Sequence, residues 1–423
     1  MTLTLLLDLD DTLLTNDINT FVPAYLKALG KHLIEYVAPD HMARQLLAAT
    51  KVMTENNIPA LTLENAFDQA FYPAISRTKE EMRAALEQFY EGTFPALQSI
   101  TAQRPAAMQM VEWALANSHT TVVATNPIFP RSAILHRLRW AGLDPDQVPF
   151  SLIVDYERFH YAKPNPAFVA EILAQLGWPN QPAVMIGNSL EDDLVPAATL
   201  GLPVYWVNEQ MAALPEGFPP YSASGTVAEI PAWIESVDAA GLRQEFHTPQ
   251  ALLPMLKATP AAFDTFAKGL TERQWRERPG PDEWSLTEIF CHLRDVDEEV
   301  NLPRIEKVIA GTVPFLPGVN SDTWAEERNY AQEDGRAALQ GYLNARYRLI
   351  QRLQSITEAD WEQEARHAIF GPTTLKELIS FIVTHDRSHI QQSFSAARAL
   401  EETIPGGNNA ATGAETSRTD QSL

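Results

Sequence analysis

Residues 3–12 read L-T-L-L-L-D-L-D-D-T, an apolar run that stops at Asp8, with Asp10 two residues on. The same form recurs along the first half. Thr120-Thr121-Val122-Val123-Ala124 stops at Thr125-Asn126-Pro127, Ala183-Val184-Met185-Ile186 stops at Gly187-Asn188, and Pro203-Val204-Tyr205-Trp206-Val207 stops at Asn208. Helical stretches near 104–117, 130–141 and 166–176 lie between these runs, and 227–237 reads as a closing helix. This alternation predicts a parallel sheet with helices on both faces. In such a sheet ligands sit beyond the carboxyl ends of the strands, so the polar residues that follow each run are the ones that matter.

Those residues are Asp8, Asp10 and Thr12, then Thr125 and Asn126, then Lys163 in H-Y-A-K-P-N-P, then Asn188, Asp192 and Asp193 in G-N-S-L-E-D-D. Two carboxylates two apart at a strand end, with oxygen ligands from a further loop, suit Mg²⁺. The stretch 15–103 interrupts the alternation, reads as helical throughout, and is expected as an insertion after the first strand. Pro, Gly and Ser accumulate over 208–226, as in a surface connection.

Composition sets outer limits. The 423 residues are 45% hydrophobic and 20% charged, enough to bury real cores over two or three domains. One cysteine excludes a disulfide framework and a Cys-based zinc knuckle. Fifty-four acidic against 32 basic residues give −22, and no stretch is a basic block. Nucleic acid and anionic membranes are therefore poor partners, and an anionic substrate would need a local site that overcomes the global field. The opening M-T-L-T-L-L-L-D-L carries no basic leader, and no apolar run reaches membrane-spanning length, so a cytoplasmic protein is expected.

With all four motifs in order, residues 1–240 resemble the haloacid dehalogenase (HAD) superfamily of phosphohydrolases, with 15–103 as its helical cap. The resemblance implies Asp8 as nucleophile, Asp10 as general acid and base, Thr125 and Asn126 at the phosphoryl oxygens, and Lys163 holding Asp8 and the phosphate. It implies Mg²⁺ held by Asp8, the main chain of Asp10, Asn188 and Asp193, with Asp192 as second choice to Asp193. The family's last motif usually opens Gly-Asp. Asn188 removes one negative charge there, which implies weaker metal binding. The haloalkanoate-cleaving branch needs no metal set, so Asp10, Thr12 and Asp193 argue against it. Cap cations Lys27, Lys31, Arg44, Lys51, Arg77, Lys79 and Arg83 could face the cleft or solvent. The substrate class implied is a small phosphorylated metabolite, a phosphomonoester.

From 248 onward the alternation ends, and four long helices are expected near 248–270, 284–310, 335–356 and 373–400. His385 and His389 are four apart and share a helix face, and His292 lies in another helix. Three converging imidazoles could hold Zn²⁺, Ni²⁺ or Fe²⁺ with a position left open. Trp284-Ser285-x-x-Glu288-x-x-x-His292 and His385-Asp386-Arg387-Ser388-His389-x-x-Gln392 resemble the DinB-like superfamily of metal-binding bundles over 247–400. Some of its members are metal-dependent thiol transferases, so the main activity could lie in this half. A non-catalytic dimerisation module is the other alternative, and a homodimer is expected by analogy alone. His247 and His367 do not fit the pattern, Cys291 is read as core packing, and Asp386 or Glu288 could orient the His rings. The architecture expected is an α/β Rossmann-like HAD core with an inserted helical cap, then an all-α four-helix bundle, then a disordered tail over 401–423.

Overall fold

Strand β1 (Thr4–Leu7) is buried along its whole length, because its four residues lie in the middle of a sheet covered on both faces. The computed structural model describes residues 2–210, 212–238, 242, 244, 246 and 248–402. Residues Leu14–Thr15 (β2) and Ala102–Gln103 (β3) form a short antiparallel pair. Then follow β4 (Thr120–Val123), β5 (Leu152–Ile153), β6 (Ala183–Gly187), β7 (Val204–Val207) and β8 (Ala223–Gly225). The main sheet runs β5-β4-β1-β6-β7-β8 with every pairing parallel. It is the Rossmann-like arrangement expected, with β1 between β4 and β6. That order places the residues after β1, β4 and β6 side by side at one edge.

The expectation for 15–103 is nearly met. Helices Ile18–His32, Pro39–Thr54, Leu63–Ala74 and Lys79–Gln88 fill it, capped by Asp17, Thr62 and Thr78 side chains. The exception is the β2–β3 pair at the two points where the chain enters and leaves the cap. The 208–226 connection also differs, since it contains β8. Ala-Ser-Gly has no apolar run to announce a strand, and pairing with β7 at the sheet edge makes it one.

The C-terminal region is a helical bundle. Its long helices are Pro249–Lys268, Gly335–Gln354 and Leu375–Glu402, with Leu286–Val296 continuing through a π-turn at Asp297–Asn301 into Leu302–Ile309. A small sheet of β9 (Phe315–Leu316), β10 (Glu364–His367) and β11 (Gly371–Thr374) decorates it, a feature that the helical reading did not foresee. Glu401 and Glu402 end the last helix and so are not tail. The rest of the expected disordered tail, 403–423, and His247 lie outside the described residues. Among the described residues no helix is long and apolar enough to cross a membrane.

The two regions share a core. The Pro166–Gln175 helix on one sheet face packs against Pro249–Lys268, so Phe168, Val169 and Ile172 join Leu252, Met255 and Leu256 in one buried apolar cluster. Polar contacts frame it: Tyr161 Oη donates to Lys257 O at 3.3 Å and Gln391 Nε2 to Trp178 O at 3.0 Å. At its centre the buried His160 reaches Glu171 (2.8 Å) on one side and Asp264 (3.1 Å) of the bundle on the other. Burial opposes charge on this imidazole, yet the two carboxylates outweigh it and hold its pKa above the usual value. A raised folded pKa means stability that is complete below the unfolded value and lost as pH rises through the folded one. The urea midpoint is therefore expected to fall as pH rises from about 6.5, and His160→Gln should flatten that dependence. An unchanged slope in the variant would remove the role assigned to this ion pair.

Candidate functional site

The residues after β1, β4 and β6 meet Lys163 around one cavity of about 220 Å³, bordered by Asp8, Asp10, Thr125, Asn126, Lys163, Asn188, Asp192 and Asp193. Lys163 is the hub. Its buried Nζ donates to Asp8 Oδ1 at 2.7 Å and Asp193 Oδ1 at 2.5 Å. Burial and the Asp193 charge push Asp8 up to about 7, with Lys163 pulling the other way. Two carboxylates thus share one ammonium, which leaves room for a further cation.

Asp193 is fixed from behind. The Ser189 N–H donates to its Oδ2 at 3.0 Å, and Gly187 is what lets it approach: a Cβ there would lie 2.3 Å from Oδ2. Asp192 is exposed, and its N–H donates to the Ser189 hydroxyl at 3.0 Å. Asp193, and not Asp192, faces Lys163.

The Asn188 side-chain amide lies 3.1 Å from the Asp10 main-chain carbonyl and 3.3 Å from Asp8 Oδ2. Turned one way, its nitrogen donates to both. Turned the other way, three oxygens converge, the donor set that suits a hard divalent cation. Thr12 Oγ1, also buried, lies 3.4 Å from Asn188 Oδ1. These residues therefore fit Mg²⁺.

Two residues of the site, Arg137 and Asn16, were missed by the sequence reading. Arg137, on the Arg131–Trp140 helix, is buried and pairs with Asp10 Oδ2, while Asn16 Nδ2 donates to Asp10 Oδ1 at 2.7 Å. Its Nε and Nη2 have no hydrogen-bond partner, and neither does the buried Asn126 Oδ1. A guanidinium held buried with free donors beside an acidic cluster can take up a phosphoryl oxygen. None of the seven cap cations singled out earlier borders this cavity.

A second cluster lies in the bundle. His385 Nε2 is 3.1 Å from both His292 Nε2 and His389 Nε2. Ligand atoms of the three lie within 4.8 Å of one another, close enough to hold one metal ion. Burial, then His389, pushes His292 down to about 4, and burial also lowers His385 and His389. All three are thus held in the neutral form that ligates metal. Trp284 lies parallel to the His389 ring at 6.2 Å, and Gln392 Oε1 meets His389 Nδ1 at 2.8 Å. Ser285 and Glu288 form a capping box that starts the helix carrying His292.

One expectation needs correction here. Neither Glu288 nor Asp386 orients a histidine: Glu288 pairs with Arg278, and Asp386 pairs with the buried Arg346. His367 stands apart from the three-His cluster and borders a cavity of about 240 Å³ together with His385 and Arg304. Burial pushes the Cys291 thiol up to about 12, which keeps it inert, as its packing role requires.

Residues 2–201 match the family model of haloacid dehalogenase-like hydrolases, and residues 255–393 match that of the DinB superfamily. The protein YuaE of Bacillus subtilis strain 168 is 23% identical over 146 residues, 32% of this chain and 90% of its own length. A HAD phosphatase from Thermococcus onnurineus aligns with TM-score 0.36 and 20% identity, over 56% of this chain and 100% of that one. YfiT from Bacillus subtilis, described as a probable metal-dependent hydrolase with an unusual four-helix bundle topology, aligns with TM-score 0.33 and 17% identity, over 36% and 86%.

Proposed function

From a haloacid dehalogenase-like hydrolase domain joined to a DinB superfamily domain, we propose a Mg²⁺-dependent phosphatase that hydrolyses a small phosphomonoester through an aspartyl-phosphate on Asp8. The observation that carries this is the buried ammonium of Lys163 between Asp8 and Asp193, at the meeting point of all four motifs. A carboxylate oxygen of Asp8 attacks phosphorus, the bond to the ester oxygen breaks, and Asp10 gives that oxygen a proton. Water then attacks phosphorus, the Asp8 oxygen leaves, and Asp10 takes the proton from water. Lys163 holds Asp8 and offsets the charge of the incoming phosphate. Thr125 and Asn126 receive phosphoryl oxygens, and Arg137 with Asn16 fixes the position of Asp10. Asp8, the Asp10 carbonyl, Asn188 and Asp193 would hold Mg²⁺, which when bound supplies charge neutralisation for phosphoryl transfer.

The three-His cluster supports a second reading for the bundle, a metal centre for Zn²⁺, Ni²⁺ or Fe²⁺ on His292, His385 and His389. As a metal-dependent thiol transferase it would carry the main activity, and as a dimerisation module none. One experiment separates these. Phosphate release from a panel of phosphomonoesters is measured with and without Mg²⁺ on wild type, Asp8→Asn and His385→Ala. Release that needs Mg²⁺ and falls on the order of 10³-fold or more in Asp8→Asn alone supports the phosphatase. Retained turnover in Asp8→Asn overturns it, and thiol consumption dependent on His385 would move the activity to the bundle.

A further inference from the structure

The cap contains a second cavity, of about 160 Å³, between its helices and the loop after β4. Leu26, Leu29, Phe67, Phe71, Leu86 and Tyr90 form much of its wall. Ile128 and Phe129, three and four residues after Thr125, border both this cavity and the acidic one. The two spaces therefore share a wall that begins at the phosphoryl-binding loop.

The chemistry of the lining is one-sided. Among the described residues no Lys, Arg, His, Asp or Glu borders the cavity. Its few polar atoms are largely spoken for: the Tyr25 and Tyr90 hydroxyls bond each other at 3.0 Å, and Thr50 Oγ1 donates to Leu46 O at 2.9 Å. Burial raises Tyr25 and Tyr72 to about 12, so both phenols stay neutral. Three of the cap's cations are engaged elsewhere. Lys79 is held by Glu64 and Asp68, Arg83 by Glu80, and Arg77 by the Tyr36 carbonyl. The cavity thus offers no charged group to match a nucleotide or a phosphorylated acid, and few free polar atoms for the hydroxyls of a sugar. A dry apolar space of roughly 150 Å³ takes up a molecule the size of benzene.

We propose that this cavity receives the leaving group, and that the substrate is a phosphate monoester of an apolar alcohol, aryl or medium-chain alkyl. The phosphoryl group would sit among Asp8, Lys163 and Arg137, with the hydrocarbon passing Ile128 and Phe129 into the cap. This inference rests on the phosphatase reading above and names its substrate class.

Two measurements test it. The first compares kcat/KM for ethyl, butyl, hexyl and phenyl phosphate with glucose 6-phosphate and glycerol phosphate. Burial of each added methylene should raise kcat/KM about fourfold, on the order of 10²-fold from ethyl to hexyl. The polyhydroxylated esters should fall about 10²-fold below hexyl phosphate. The second is calorimetric binding of ethylphosphonate and hexylphosphonate to full-length Asp8→Asn, which needs no turnover. Leu26→Trp, or Leu86→Trp if the first fails to fold, fills the cavity and should collapse the hexyl-to-ethyl ratio in both assays. Equal rates for ethyl and hexyl phosphate, or a preference for the sugar phosphate, would overturn the substrate class and leave the phosphatase standing. Absence of all hydrolysis, with hexylphosphonate still bound in preference to ethylphosphonate and released by the Trp variant, would overturn the phosphatase and leave the apolar site.

Discussion

Lys163→Met is expected to lower Mg²⁺-dependent phosphate release by about 10³-fold or more, a larger effect than loss of any single hydrogen-bond donor in the site. Met has nearly the length of Lys and fits a buried slot, so the change removes charge without opening a large void. What remains is Asp8 and Asp193 facing each other with no ammonium between them, where Lys163 now bridges them at 2.7 and 2.5 Å. An uncompensated buried charge costs roughly 3–5 kcal/mol, so part of the damage should appear as stability. The double variant Lys163→Met/Asp193→Asn separates the two effects. Removing the second carboxylate relieves the repulsion and should restore most of the denaturation midpoint, yet activity should stay low, because Asp8 and the phosphate still lack their ammonium and the Mg²⁺ site has lost a carboxylate. Recovery of turnover in the double variant would show that Lys163 only balances charge and takes no part in phosphate binding.

How much of this was legible depends on whether a residue's role is set locally. Asp8, Thr125 and Asn188 each end an apolar run, and the parallel order that places those runs side by side follows from the alternation with helices. The pair β2–β3 and strand β8 were hidden because two or three residues without apolar alternation carry no period to read. Arg137 was hidden differently. In R-S-A-I-L-H-R-L-R-W the three arginines, at 131, 137 and 139, share no single helix face and follow no pattern that marks one as buried, and only the packing of that helix under Phe129 and beside Asp10 sets Arg137 apart. His367 lies on β10, in a sheet that the helical pattern masked. Asp386 adjoins His385 in sequence but stands about 100° round the helix from it, so it faces Arg346 and not the ring cluster. The shared core between bundle and α/β region could not be read either. Apolar faces on 166–175 and 249–268 say that each helix is buried, and not against what.

Arg346→Ala is expected to be the most destabilising single change in the bundle, by roughly 3–5 kcal/mol, read as a lowered urea midpoint. Arg346 is buried on Gly335–Gln354 and donates to Asp297 through Nε (2.7 Å) and Nη2 (3.1 Å) and to Asp386 through Nη2 (2.9 Å) and Nη1. Asp297 opens the π-turn that follows the helix of His292, and Asp386 sits on the helix of His385 and His389. One guanidinium therefore ties the two helices that carry the histidine cluster to a third. Truncation leaves two buried carboxylates with no cation and a void where the side chain packed on Tyr342. Burying an ion triad is not itself strongly stabilising, since desolvation offsets most of the attraction. The triple variant Arg346→Met/Asp297→Leu/Asp386→Leu should thus regain most of the lost midpoint. Metal stoichiometry then tells what the triad is for. A triple variant as stable as wild type but binding less Zn²⁺ would assign the ion triad to registering the helices so that three imidazoles meet. Full stoichiometry would assign that work to apolar packing alone, and a midpoint within about 1 kcal/mol of wild type in Arg346→Ala would remove the triad from the account of stability.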